Sequence, residues 1–374
     1  MESAVDRKKL NELIRNVITR TKPSDAQRRG LERTSTPKPL KKIESQTSPN
    51  QENSFDRTSY ESYFSESNAL YQLEVLLQTG VHIDEIAQCL SGLESNDAWN
   101  LRDKLNKLGA NPNMLLLGLA GLDSDRAWAW RNDLSTNSIT DDRSIIKSVA
   151  GLDSVKAWQW RDKYDKSDEE SKGDLILSLV GVDSERAWSI RKANLKKGKH
   201  LNEIVQSLAG LDSDQAWSMR DNLKNTGAND VFLIRSLTGL DSEKANYWRD
   251  NFFPFGLGQG TVSALLQSYA GVSSLESWRK RKLLLEVGVD ADALVRGFAG
   301  ITIIKFDNIP LPLEIKKIVK ESANLDMWAQ GINGTWFTGI AWRTAQKQNQ
   351  NPPEFEIIRK PKMSDEIDDD FEEV

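Results

Sequence analysis

The sequence is poor in the residues that most catalytic, redox and metal sites use. Its 374 residues include one cysteine and two histidines. The lone Cys89 excludes a disulfide framework and a thiolate metal site within the chain, and His82 and His200 are too few for most metal or triad chemistry. We therefore expect no catalytic residues, no metal site and no cofactor.

Long apolar segments and a strong excess of one charge are also lacking. No stretch approaches the ~20 apolar residues of a membrane-spanning helix, and the charged N-terminus has no apolar core of a secretory signal. The formal net charge is −5, and residues 81–300 carry 28 Lys/Arg against 31 Asp/Glu, which gives no general reason to bind nucleic acid or an anionic membrane. These features predict a soluble, cytoplasmic protein with no transmembrane segment and no evident small-molecule site.

Tryptophan, in contrast, is abundant and recurs at a fixed interval. The sequence has 12 Trp, and six of them lie seven residues after a glycine that we call the anchor glycine. Consecutive anchors are 29 to 32 residues apart, and a period of that length is typical of a solenoid. The anchor glycines are Gly92, Gly121, Gly151, Gly181, Gly210, Gly239, Gly271 and Gly300.

The repeat unit reads Gly-Leu-Asp-Ser-x-x-Ala-Trp-x-x-Arg, with Trp seven and Arg ten residues after the anchor. The sixth unit departs from this pattern, since Asn246 stands at the Trp position. The repeat tryptophans are Trp99, Trp128, Trp158, Trp188, Trp217 and Trp278. The repeat arginines are Arg102, Arg131, Arg161, Arg191, Arg220, Arg249 and Arg281.

Each unit is predicted to form two helices joined by a tight turn. The first is short and apolar, as in residues 204–209, and Gly210 fits the position after a helix where φ is positive. Asp212 and Ser213 then supply an N-cap for the second helix. In that helix Ala216 and Leu223 belong to a buried stripe, so neighbouring units must stack to cover their apolar faces.

This organisation predicts an all-α fold, an α-solenoid of about seven ~30-residue helix-turn-helix repeats with helical caps and disordered termini. Residues 1–60 are basic, with 13 Lys/Arg against 8 Asp/Glu, and predict a disordered arm that could hold a short amphipathic helix. Residues 351–374 predict a disordered acidic tail. Between these termini lie an N-terminal capping helix (61–80), the repeat array (81–300) and a C-terminal helical cap (301–350).

The helix-pair period resembles that of the α-solenoid class at large. That class includes armadillo, tetratricopeptide and pentatricopeptide arrays and the helical repeats of mitochondrial termination factors. The likeness covers about residues 65–300 and concerns architecture, because none of the signature residues of those arrays occurs here. It implies stacked helix pairs and carries no site residues to this chain.

The repeated Trp and Arg have two interpretations. They could line a groove in which bases stack on indole and guanidinium planes. Alternatively, Trp fills the seam between units, with Arg stacked on it and paired to an Asp of a neighbouring unit. Near-identity in every unit favours the seam, because residues that read a varied ligand should themselves vary.

Function is expected where the units differ. The position four residues before each anchor, which we call the variable series, changes from unit to unit and could contact a partner, although a solvated face would vary too. Its polar members are the candidate partner-binding surface: Gln88, Lys147, Gln206, Arg235, Gln267 and Arg296.

These observations predict a non-enzymatic scaffold whose extended solenoid surface holds a protein partner. The alternative is an RNA- or DNA-binding repeat protein, which the charge of the body disfavours. That alternative gains if Lys147, Arg235 and Arg296 line one groove without acidic residues. A remote alternative is an enzyme with its site in 301–350, on an acid such as Asp307 or Asp326.

Overall fold

The fold class predicted from the repeat is confirmed: every element of the described structure is a helix, and successive helices pack as neighbours. The structure is a computed structural model that describes residues 66–137, 140–164, 169–252, 259–286, 289–301 and 324–350. The predicted arm (1–60), the predicted acidic tail (351–374) and residues 302–323 of the predicted C-terminal cap lie outside the described residues.

The helices fall into an inner and an outer set. The inner helices, the first of each pair, are α2 (Ile83–Gln88), α4 (Pro112–Leu117), α6 (Asp142–Lys147), α8 (Glu169–Leu177), α10 (Leu201–Ser207), α12 (Asp230–Arg235), α14 (Gln259–Ser268), α16 (Ala291–Arg296) and α17 (Leu325–Asn333). The outer helices are α1 (Glu66–Gln78), α3 (Asn96–Lys107), α5 (Asp125–Asn137), α7 (Val155–Tyr164), α9 (Glu185–Lys196), α11 (Asp214–Thr226), α13 (Glu243–Asn251) and α15 (Leu275–Glu286). A last helix, α18 (Trp336–Gln350), belongs to neither set.

The turn within each pair follows from the Gly-Leu-Asp-Ser sequence. The anchor glycine has a positive φ, +81° at Gly210, which an L-residue adopts only with strain. Three residues later, the Ser213 hydroxyl accepts a hydrogen bond from the Ala216 N–H and so caps α11. The N-cap is therefore the serine, and the preceding aspartate is free for another role.

The inner helices do not form an open array but close into a ring. Helix α17 packs against α16 on one side and against α2 and α1 on the other. At this junction the Asn333 side-chain amide donates to the Cys89 and Ser91 carbonyl oxygens, at 2.6 and 3.0 Å. The Gln330 amide donates to the Glu85 carboxylate at 3.0 Å. Residues more than 240 positions apart in sequence thus become neighbours.

The junction repeats the interface between ordinary units. Elsewhere the N–H that opens an inner helix donates to a side chain of the preceding inner helix, as Asn111 does to Asp84 at 2.7 Å. At the junction the His82 N–H donates to Asp326 at 3.2 Å in the same way. Helix α17 is therefore a ninth inner helix, and its outer partner is α1, from the other end of the described chain. The two segments predicted as caps at opposite ends make one unit together.

Helix α18 runs through the centre of the ring. A Cβ added at any of the eight anchor glycines would collide with α18, and the atoms met belong to residues 340–345 on all sides of that helix. Ile340 and Ala341 pack against Ala120, Ala150 and neighbouring small residues of the inner wall. Trp342, 1% exposed, packs against the equivalent alanines of the last two repeats. The anchors are thus glycine for two reasons: positive φ and close approach of α18.

This double role predicts different outcomes for two Gly→Ala substitutions. Gly227 has φ +95° with nothing within 4 Å of an added Cβ, so Gly227→Ala should cost only about 1–2 kcal/mol of backbone strain. At Gly239, φ +84°, the Cβ would lie 2.6 Å from the Trp342 Cα. We expect Gly239→Ala to cost about 1–3 kcal/mol more, through overpacking. Urea unfolding measures both, and equal losses would contradict the central position of α18.

Candidate binding site at the mouth of the ring

The repeat arginines are buried in the wall of the ring and bind backbone carbonyl groups. Arg220 Nη2 donates to the Leu208 and Leu211 oxygens of its own unit, at 2.7 and 2.9 Å. It also donates to the Ser236 oxygen of the next inner helix at 2.9 Å, while Nε donates to the Ser236 hydroxyl at 3.1 Å. Burial lowers the pKa of Arg220 to about 9, so the guanidinium is still charged at neutral pH. Each such arginine therefore ties its unit to the next.

The same carbonyl contacts recur at Arg102, Arg131, Arg161, Arg191, Arg249 and Arg281. The sequence predicted that each repeat arginine pairs with an Asp of a neighbouring unit. That part of the prediction is wrong, because the arginines bind backbone carbonyl oxygens instead. These carbonyl groups lie at the ends of the inner helices and in the turns that follow them, where the carbonyl groups outnumber the available backbone donors, so a multidentate cation suits them.

The repeat tryptophans occupy the seam between units. Trp158 packs against Leu179 and Val182 of the following unit and is sandwiched by Arg161 and Arg186, whose guanidinium carbons lie 4.6 and 4.5 Å from the ring centroid. Its indole N–H donates to Asp153 at 2.7 Å, and the Ser184 hydroxyl of the next unit donates to the same oxygen at 2.9 Å. The aspartate of the repeat therefore positions Trp.

Removing one seam tryptophan should destabilise the ring strongly. Trp188 is 2% exposed and donates to the exposed Asp183 carboxylate at 2.8 Å, so Trp188→Ala leaves a cavity and removes this hydrogen bond. We expect a loss of about 3–5 kcal/mol. Tyr247, an outer-helix aromatic that is 67% exposed, provides the control, since Tyr247→Ala should change stability by about 0.5 kcal/mol or less. Unchanged unfolding of Trp188→Ala in urea would contradict the seam position.

The variable series converges on one mouth of the ring. A cavity of about 240 Å³ opens there between the inner helices and the first turn of α18. Of the six candidates, four line this cavity and two, Gln88 and Lys147, do not. Five members of the variable series line it, together with Gln330 of α17: Leu177, Gln206, Arg235, Gln267 and Arg296. Gly334 and residues 335–338 close the cavity from the side of α18.

Gln88 and Lys147 occupy the same position in their units as the lining residues, but each interacts with a carboxylate. The Lys147 ammonium pairs with Asp174 at 2.8 Å, beside the Trp336 ring at 5.9 Å. Gln88 donates to Glu85, the same carboxylate that accepts from Gln330. The three basic residues named from the sequence are therefore divided, because Arg235 and Arg296 share a cavity whose lining has no acid, whereas Lys147 is neutralised.

Sequence reasoning missed Gln330 and the first turn of α18. A signal was present: Gly334 lies four residues after Gln330, as an anchor would, and Gly331 stands three residues before Gly334, where Gly297 stands before Gly300. In both glycines a Cβ would lie 2.5 Å from a carbonyl oxygen of the preceding inner helix. The lack of an Asp-Ser-x-x-Ala-Trp sequence after Gly334 concealed this ninth inner helix.

Other candidate chemistry has structural explanations. The His82 imidazole accepts from the Asp84 N–H at the start of α2, and Asp326 accepts from the His82 N–H. Cys89 is fully buried, and burial raises the pKa of its thiol well above the usual range. Within the described ranges there is no group of three or more metal-ligating residues and no helix with the length and apolarity to span a membrane. Asp307 lies outside the described residues.

The described structure is thus characterised by a closed ring, a unit formed jointly by α1 and α17, and the central helix α18. Comparison of the chain with protein-family models, with curated proteins and with solved structures finds no match.

Proposed function

We propose that the protein is a non-enzymatic cytoplasmic scaffold that binds a protein partner at the mouth of its ring. The observation that carries this proposal is that the repeated residues and the variable residues of a unit occupy different parts of the ring. The recurring residues, which are the anchor glycines, the repeat arginines and the tryptophan present in six units, build the wall, while four polar members of the variable series line an open cavity. A recognition surface requires residues that vary from unit to unit, and the mouth offers them beside a cavity, whereas the variable outer-helix positions such as Ser218 and Tyr247 are exposed on the outer helices.

The position of α18 favours the mouth of the ring, rather than an extended concave surface, as the binding site. Solenoids commonly bind along their concave side, but here that side faces α18, and the small residues of the wall are buried against it. With α18 in place, a partner meets the two mouths and the outer helices. Of these surfaces, the cavity mouth brings the polar series residues together.

One observation favours the nucleic-acid alternative: Arg235 and Arg296 share a cavity whose lining contains no acidic residue. Two cations at a small cavity cannot follow a strand, however, because phosphate-driven affinity comes from many contacts along the backbone. The third basic residue of the variable series, Lys147, is neutralised by its ion pair with Asp174.

Site-directed photo-crosslinking in cells would test the proposal. A photoreactive amino acid replaces Gln267 in the cavity lining or, as the matched control, the exposed Ser218 on outer helix α11. We expect a protein adduct from position 267 and none from position 218. Adducts from position 218 alone, or a nucleic-acid adduct at 267 together with salt-sensitive binding of single-stranded RNA in fluorescence anisotropy, would contradict it.

A further inference from the structure

The mouth cavity combines two arginines, and the part of its lining that the structure describes contains no acidic residue. Arg235 and Arg296 come from α12 and α16, with Gln267 of α14 between them in ring order. Both arginines are half-buried. Arg296 Nε donates only a long hydrogen bond, 3.4 Å, to the Asp292 carbonyl oxygen. The cavity therefore concentrates positive charge.

Arg235 is the less satisfied of the two. Its Nε is buried and has no hydrogen-bond acceptor among the residues that the structure describes, and its guanidinium carbon lies 5.9 Å from the Phe232 ring centroid. Burial, followed by the charge of Arg296, lowers the pKa of Arg235. A buried donor without an acceptor is costly, and two guanidinium groups that repel one another add to the cost. An anion between them would relieve both effects.

Neutral donors complete the cavity. The side chains of Gln206, Gln267 and Gln330 line it, and so does the first turn of α18, a 15-residue helix. Each amide nitrogen already donates one hydrogen bond, to the Asn202 carbonyl oxygen, the Ser263 hydroxyl and the Glu85 carboxylate respectively, which leaves one N–H of each amide for a ligand. The first N–H groups of a helix lack intrahelical acceptors and carry the positive end of its dipole. On the remaining side lie Leu177 and the aromatic residues Trp336 and Phe337. The Glu85 carboxylate, which is bonded to Gln330 of the lining, also accepts from Gln88.

We propose that this cavity binds an oxyanion, a phosphate or a carboxylate group, gripped by Arg235 and Arg296 and oriented by the glutamine amides and the start of α18. The inference deepens the proposed function, since it names the group through which the mouth would recognise its partner. The cavity, about 240 Å³, has room for the acid group and a short apolar or aromatic portion against Leu177, Trp336 and Phe337. Guanidinium groups match both acids bidentately.

Isothermal titration calorimetry on the full chain at low salt tests this inference. The probes are inorganic phosphate and phenyl phosphate for one acid group, and acetate and benzoate for the other. We expect one-to-one binding of at least one pair, with the aromatic member tighter. Arg235→Gln and Arg296→Gln should each weaken that binding about tenfold or more, the loss typical of one charge-assisted contact.

Two further variants keep the test decisive. Lys107→Gln removes the same charge from an exposed position on outer helix α3 and should leave binding unchanged. Arg235→Lys keeps a point charge without the fork and should bind with intermediate affinity. If Arg235→Gln does not fold, as judged by circular dichroism, Arg296→Gln decides.

Three results would overturn the inference: no binding of any probe to the wild-type chain, wild-type affinity in both glutamine variants, or an equal loss in Lys107→Gln. The proposed function is judged separately. A protein adduct at position 267 without anion binding would leave the scaffold in place and remove the anion site. Anion binding without a protein adduct at position 267 would support the anion site and contradict the scaffold function.

Discussion

Replacing Arg220 by methionine should unfold the ring at markedly lower urea concentrations. Methionine fills much of the space, but the Leu211 and Ser236 carbonyl oxygens lose their donor, whereas the Leu208 oxygen keeps the Leu211 N–H at 3.0 Å. Each buried acceptor left without a partner costs about 1–3 kcal/mol, so we expect a total loss of about 2–6 kcal/mol. Arg220→Lys should be nearly as damaging, because one ammonium cannot span the three oxygens.

The exposed Arg126 serves as the control for Arg220. It pairs with Asp103 at 3.2 Å and stacks on the Trp99 ring at 4.6 Å, both as an exposed side chain, so Arg126→Met should cost about 1–2 kcal/mol. Urea unfolding followed by circular dichroism measures all three variants. Similar midpoints for Arg220→Met and Arg126→Met would show that the buried guanidinium groups are dispensable, and the account of how units are joined would have to be abandoned.

Trp342→Ala should release α18 from the centre of the ring. Trp342 contacts Gly271 and Gly300 closely, and its indole N–H donates to the Asn333 carbonyl oxygen at 3.0 Å. We expect a loss of about 3–5 kcal/mol, the range for removing a fully buried large aromatic side chain. Since α18 and the junction share Asn333, hydrogen exchange should speed up in α18 and in α17 together.

Trp336 offers the matched control on the same helix. It is half-buried at the mouth, where truncation leaves an opening to solvent rather than a closed cavity. Trp336→Ala should therefore cost less and leave exchange in α17 unchanged. Faster exchange confined to α18 in Trp342→Ala would mean that the ring closes independently of its central helix.

The helix pairs were predictable from sequence because their signals are local. Glycine at the turn, serine at the N-cap and apolar spacing in the outer helix each act within a few residues of one another. The seam position of tryptophan followed from its regularity. Its hydrogen bond to the aspartate five residues earlier did not, because a residue beside an N-cap had an adequate explanation as part of that cap.

Ring closure depends on quantities that a periodic sequence does not display. A small rotation per unit decides whether nine inner helices meet or form an open superhelix, and repeated residues are compatible with either. The central helix was hidden for a related reason. A positive φ is sufficient to explain a glycine, as at Gly227. The sequence therefore does not reveal that Gly239 is glycine also because α18 approaches it closely.

The unit shared by α1 and α17 has a consequence for synthesis on the ribosome. The outer half of this unit is translated first, but its inner half and α18 follow some 250 residues later, which at about 5–20 residues per second is a delay of about 10–50 s. Through that interval the nascent chain holds an unpaired helix at one end and an apolar inner wall with nothing against it. Early units are therefore exposed to chaperones and to other nascent chains until the last helices emerge.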